Sequence, residues 1–493
     1  MKKFLSLVLA LVLCLSVAGI SMPATAEEEP YELVWLRYGS VGTTDMQPGL
    51  APVQEAVNEW LKNNGYSFTV NMMQVEDMSN LQVQMAAKEK YDIVWRNAST
   101  LSDTLIRGGF LYNIIDLYKN YEGLYNSIPE NIWNTLIREN GTALYMIPTY
   151  KECGIGVAVG VSVSACKKYG WDDLLNDDHT KIWSLSELTP YLEQAYEDGS
   201  YEVLYNFDNN EVVNNSREYY LLDSIAAITN YIGIDLSVEG ATEAALVTDI
   251  PSYQEYVGLF NSWNEAGYIH DKFATGEETG NLDVLFSAEA YTPDHQAAVN
   301  RSTTLNKDGE GAVYIRMTDT YLNSTSSLGS GMAFASYTPH IDYCLEFMDA
   351  LYSNTEFADL CLYGIEGVHY NRLEDGRVEK IADSGYDFGT WSCANVMTVS
   401  LCTTDSLDKK EKYAAFNENA KSSYILGFVF DTEPVASEVL ACNAVVSEYQ
   451  RLLENGFLGE DGLSDYREAL VSAGAETVLA EVNRQLADFF AAK

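Results

Sequence analysis

Tyr31-Glu32-Leu33-Val34-Trp35-Leu36, ahead of the polar loop Gly39 to Gln47, is the stretch from which the fold can be read. The run reads as a strand. Pro52 then opens a helix at its first turn, where a missing N–H is harmless. Val53, Ala56, Val57, Trp60 and Leu61 share one face of that helix, and Asn63-Asn64-Gly65 stops it. Phe68, Val70 and Met72 alternate as a second strand. Residues 79–90 return as a helix, and Tyr91 to Trp95 form a third, buried strand. The order β-α-β-α-β predicts a parallel sheet with right-handed crossovers. Ligands of such sheets sit beyond the carboxyl ends of the strands, which puts Arg37–Asp45 and Arg96–Ser99 on one rim.

Further along, residues 144–163 read as nearly continuous strand, broken at Pro148-Thr149-Tyr150-Lys151. Residues 165–230 read as mainly helical, with an exposed polar loop from Asn206 to Arg217. A helix at 252–266 stops at Gly267, and strand pattern returns at 311–317 and 331–336. Helices are expected from Pro339 to Tyr352 and from Glu476 to Phe490, the latter with Val478, Val482, Leu486 and Phe489 at helical spacing. Strand–helix pattern on both sides of a helical insertion suggests two lobes with more than one crossing between them.

The chain has 493 residues, enough for two large lobes. Acids outnumber bases 72 to 30, so the surface repels nucleic acid and anionic membranes, and neither is expected as a partner. With 34 tyrosines and 8 tryptophans it is too aromatic to be a disordered acidic chain. Lys2 and Lys3, the apolar run Phe4–Val17 and Ala24-Thr25-Ala26 form a secretory leader, residues 1–26. Ile20 stands where a lipid-modified cysteine would follow Val17-Ala18-Gly19, so free secretion is favoured over a lipid anchor. Seven cysteines remain, without C-x-x-C. Buried free thiols are expected, with Cys393–Cys402 the nearest pair for a bridge.

The sequence lacks H-E-x-x-H, G-x-S-x-G and a Walker loop. Gly154, Gly156 and Gly160 are spaced one residue too long for a dinucleotide fingerprint. The five histidines are scattered, and 72 acids make chance carboxylate pairs common, so no metal, cofactor or catalytic residue is assigned. What stands out is aromatic rings beside planar polar groups in loops: Trp35 to Tyr38, Trp95-Arg96-Asn97, Tyr150-Lys151-Glu152 and Tyr370-Asn371-Arg372. Sugars offer flat C–H faces to rings and hydroxyls to fixed donors and acceptors, so the composition suits a sugar cleft.

Ser330-Gly331-Met332-Ala333-Phe334-Ala335-Ser336, then Leu351-Tyr352-Ser353, then Tyr363-Gly364-Ile365-Glu366-Gly367-Val368-His369-Tyr370 resemble the extracellular solute-binding proteins of ABC importers, in their carbohydrate/oligosaccharide branch. Gly427 to Asp431, Glu433-Pro434-Val435 and Val482 to Leu486 fit the same resemblance, and Tyr145 to Lys151 look like its first interlobe crossing. The resemblance implies an α/β, two-lobed, type II binding-protein fold, with doubly wound sheets joined by a multi-strand hinge that closes on a ligand. It implies no catalysis and no cofactor, a sugar or oligosaccharide as ligand, and ABC permease subunits as partners of a monomer on the outer face of the membrane. Lobe one is expected from 27–149 plus 298–362, and lobe two from 150–297 plus 363–493. The expected ligand residues are Tyr38 and Trp95 for stacking and Arg96, Asn97, Lys151 and Glu366 for hydrogen bonds. Tyr150 and Glu152 would stand at the hinge, and Tyr291, the Gly364–Gly367 turn and Trp391 would come from lobe two. Glu366 between glycines could equally cap a helix. A secreted glycoside hydrolase and a wall-associated, non-transport receptor are the alternatives.

Overall fold

The computed structural model describes residues 30–38, 48–75, 78–96, 103–138, 141–206, 222–225, 228, 230–276, 282–294, 305–322, 329–386, 388–389, 392–393 and 395–492. Residues 1–29, the whole Gly39–Gln47 loop, Asn97, Trp391 and all of the expected 206–217 loop but Asn206 fall outside them. Strand β1 (Tyr31–Tyr38) buries Leu33 through Arg37 without interruption, which is why its sequence does not alternate. Helix α1 (Leu50–Asn63) buries Leu50, Val53, Val57 and Leu61. It ends before Gly65, whose φ of 84° is left-handed. Strand β2 (Phe68–Val75), helix α2 (Leu81–Ala86) and strand β3 (Ile93–Arg96) complete the predicted unit, α2 being shorter than expected.

Strand β4 (Ile147–Pro148), strand β5 (Val157–Ser162) and strand β6 (Val203–Asn206) follow. The break expected at Pro148 to Lys151 is there and runs on to Gly156, because the chain leaves one sheet after Pro148 and joins another at Val157. Strands β7 (Leu222–Ser224), β8 (Ile232–Asp235) and β9 (Ala245–Leu246) make a small antiparallel sheet, of which β7 falls in the 165–230 stretch that reads as mainly helical. Short apolar runs do not distinguish the two states. Strands β10 (Val284–Ala290), β11 (Ala312–Arg316), β12 (Tyr321–Leu322) and β13 (Gly331–Phe334) precede the hairpin β14 (Tyr370–Arg372) and β15 (Val378–Lys380), with β16 (Lys421–Ser422) last.

The first sheet has the order β2-β1-β3-β13-β4, and the second β11-β5-β10-β6. β1 is parallel to β2 and β3, while β13 runs antiparallel to β3 and β4. Each sheet has its own hydrophobic core. The first gathers residues from Leu33 to Cys153 and from Leu322 to Val399; the second takes Val157 to Met317 and Ile425 to Leu486. These clusters divide the chain differently from the expected lobe boundaries. β11 pairs with β5, Ala312 opposite Ser162, so residues before Met317 belong with the second sheet. The β14–β15 hairpin rests on the first core through Tyr370 and Val378.

The chain passes between cores three times, and the passing segments pair with one another. Ile155 and Tyr321 exchange both backbone hydrogen bonds, at 2.7 and 2.8 Å, and Lys421 N donates to Thr320 O at 2.9 Å. All seven cysteines outside the leader are free thiols, six of them buried. Among the described residues no helix is long and apolar enough to cross a membrane.

Candidate ligand-binding site

At the carboxyl edge of the first sheet, Tyr38 closes β1 and Trp95 stands one residue before the end of β3. Their rings stack with centroids 4.6 Å apart and planes at 23°. Trp95 is buried and Tyr38 only half-buried, so Tyr38 is the outward ring and Trp95 its backing. Trp95 Nε1 donates to Ser330 Oγ at 2.7 Å, and Ser330 Oγ donates to the Ser392 carbonyl at 2.6 Å. Thr149 Oγ1 lies 3.2 Å from Ser330 Oγ, and Thr149 N donates to Ser330 O at 2.9 Å.

Arg96 behaves differently from Trp95. It is 2% exposed, its Nη2 lies 4.0 Å from Met85 Sδ on α2, and burial lowers its pKa to about 10. Successive strand residues point to opposite faces, so when the Trp95 indole serves the rim the Arg96 guanidinium goes beneath α2. Arg37 is likewise fully buried, with its guanidinium 4.0 Å from the Phe388 ring centroid and 4.9 Å from that of Trp35. Its Nη1 donates to Tyr386 Oη at 3.1 Å.

At the first crossing, Tyr150 is buried and Val396 N donates to its carbonyl at 2.8 Å. Lys151 Nζ and Glu152 Oε1 are paired at 2.6 Å, each side chain about a quarter exposed. The helix Lys409–Glu418 supplies Asn417, whose Oδ1 accepts from Cys153 N at 2.8 Å and whose Nδ2 donates to Lys151 O at 2.7 Å. The turn that carries Tyr150, Lys151 and Glu152 is therefore pinned.

The second sheet offers a more ionic edge. Tyr291 follows β10, half-buried, and its N–H donates to Gly156 O at 2.8 Å. The Arg316 guanidinium lies 5.3 Å from its ring centroid and pairs with Asp319 at 3.1 Å. Lys421 pairs with the same carboxylate. Burial raises the Tyr291 pKa, with Arg316 opposing.

Glu366 is not at this edge. It lies exposed beside Ala56 of α1 and Thr355 and Leu360 of the following helix (Thr355–Tyr363), on the first core, and is 3.4 Å from Arg372 Nε. The Gly364–Gly367 turn packs there because Ile365 N donates to His369 Nδ1 at 2.9 Å and Tyr363 and Tyr370 enter the first core. It was expected in lobe two. Asn97 and Trp391 lie outside the described residues. The structure thus brings Tyr38 and Trp95 together at one edge and Tyr150, Lys151 and Glu152 at the crossing, with Tyr291 at the edge of the second sheet. Sequence reasoning missed Ser330, Thr149, Ser392, Asn417 and Arg316. Of these, Ser330 alone opened a quoted tract, and nothing in its type marked it.

The whole architecture has a solved counterpart. The N-glycan transport solute-binding protein NgtS of Streptococcus pneumoniae superposes with a TM-score of 0.76, over 93% of this chain and 99% of that one, at 19% identity. The fold is that of a type II solute-binding protein. NgtS in complex with Man1GlcNAc superposes on this solute-binding fold less closely, at 0.66, with 18% identity and the same coverage. A carbohydrate ABC transporter substrate-binding protein of S. pneumoniae serotype 4 (strain ATCC BAA-334 / TIGR4) is 24% identical over 429 residues, 83% of this chain and 81% of the relative. Residues 424–491 match the family model described as a domain of unknown function, DUF3502. They make up the C-terminal part of the second core.

Proposed function

We propose that the protein captures an oligosaccharide outside the cell and delivers it, chemically unaltered, to the permease of an ABC importer. The observation that carries this reading is the Tyr38–Trp95 stack at the carboxyl edge of one sheet, joined through three paired crossings to a second sheet with Tyr291 at its edge. A fixed ring in a partly dry rim suits the flat face of a sugar. Paired crossings suit a hinge. The carbohydrate importer relative and the NgtS likeness support the choice of ligand class. The secretory leader supports an extracellular site of action.

The test is intrinsic fluorescence and thermal unfolding against an oligosaccharide panel that includes Man1GlcNAc and Man5GlcNAc, the glycans held by NgtS. A bound sugar at a hundred times its Kd stabilises the protein by about 2.7 kcal/mol. Silence across the panel removes the carbohydrate reading, and release of reducing ends would make the protein a hydrolase instead.

A further inference from the structure

We infer that Ser330, with Thr149, is the positioning residue that ties the aromatic platform to the hinge, an assignment that rests on the binding reading above. The Ser330 hydroxyl accepts from Trp95 Nε1 at 2.7 Å and donates to Ser392 O at 2.6 Å. The single proton of Thr149 Oγ1 is shared between Ser330 Oγ at 3.2 Å and Ser392 O at 3.1 Å, so the three residues form one closed cluster.

Four separate stretches of chain meet on that one oxygen. Trp95 stands one residue before the end of β3, under Tyr38. Thr149 begins the first crossing, directly after β4. Ser330 directly precedes β13, within the first lobe. Ser392 belongs to the segment that leads to the third. The node has little freedom to shift. Ser330 is 2% and Thr149 3% exposed, and Thr149 N holds Ser330 O at 2.9 Å. The neighbouring Gly331 is so close to β4 that a Cβ there would stand 2.4 Å from Ile147 O.

Rotation of the first crossing moves Thr149 and, through its contacts with Ser330, the one acceptor on which the Trp95 indole depends, and with it the face of Tyr38. Conversely, a sugar pressing on Tyr38 loads the first crossing. Platform and hinge are coupled through one hydroxyl. Without it the indole N–H is left buried and unpaired, a costly state that the ring relieves by shifting.

The experiment compares the full chain with Ser330→Ala, Ser330→Thr and Thr149→Val, each alone and with Trp95→Phe so that the Trp95 signal is obtained by difference. In ligand-free protein, Ser330→Ala is expected to alter Trp95 emission and raise its quenching by acrylamide. Ser330→Thr, which keeps the hydroxyl, restores both, and Thr149→Val gives a smaller change in the same direction. With Man5GlcNAc as probe, Ser330→Ala binds about tenfold more weakly. If Ser330→Ala lowers the unfolding temperature while Trp95 emission, quenching and Man5GlcNAc affinity stay at wild-type values, Ser330 is structural only and the assignment is overturned. If wild-type protein ignores Man5GlcNAc, that result bears on the ligand reading, and the ligand-free quenching difference still decides the role of Ser330.

Discussion

The two sheet edges are built from different chemistry. The first is neutral: Tyr38 on Trp95, held by serine and threonine hydroxyls. The second is ionic: Tyr291 beside Arg316, Asp319 and Lys421, with Lys151 and Glu152 close by on the crossing. Hydroxyl networks buried in a core are rigid, because any shift leaves an unpaired donor. Ion pairs that are a quarter exposed or more are loose and contribute little. On the proposed function, the first edge would be pre-formed for a ligand and the second suited to adjust to it.

If that contrast holds, the largest effect comes from the platform. Tyr38→Ala should weaken oligosaccharide binding by about 2 kcal/mol, roughly 30-fold, while Tyr291→Ala should cost about 1 kcal/mol, both read by calorimetric titration. Equal losses would erase the distinction. Next comes the pinned turn between them. Asn417 is buried, and Asn417→Ala strands Cys153 N and the Lys151 carbonyl. A loss of about 2 kcal/mol of stability, with a smaller loss of affinity, is expected in urea unfolding.

A smaller effect concerns charge. Asp319→Asn should change affinity by less than about 1 kcal/mol and alter its salt dependence, whereas Ser330→Thr should leave the salt dependence unchanged. Acid tests the base of the neutral lobe. His369 is buried and accepts the Ile365 N–H, and burial lowers its pKa from 6.5. The folded state therefore favours the neutral ring. Its stability is complete above the ordinary value and is lost as pH falls from 6.5 through the lowered folded value. His369→Gln should flatten this acid slope, by under about 1 kcal/mol, in melts from neutral pH down to about pH 5. The smallest effect is at the half-exposed pair of Arg107 with Asp431, 3.0 Å apart, which joins the two cores away from the crossings. Arg107→Ala should shift the dissociation constant by less than about fivefold.

Local pattern made much of this legible. β1, α1, the helix at Ile341–Ser353 and the last helix, Ala475–Ala492, fell where periodicity put them. Their signals lie within a dozen residues. The division of the chain did not, because β11 is claimed by β5 and the β14–β15 hairpin by the first core, both far away in sequence. Tyr38 and Trp95 were legible as aromatic strand ends. Arg96 was misjudged, since pleat alternation at the edge was not weighed against rim position. Glu366 sat in the most distinctive motif, but a motif carries family likeness and no statement of which core it packs on. Ser330 and Thr149 are small hydroxyl residues that act only where four segments converge.

The order of the first sheet has one more consequence. β13 lies between β3 and β4, yet it is made long after both. Until residues 331–334 emerge, those two strands are bare edges with open hydrogen-bond rows. Counted from the N-terminus, the first sheet cannot close until 334 of the 493 residues have been made, so its early strands must wait for a partner far along the chain.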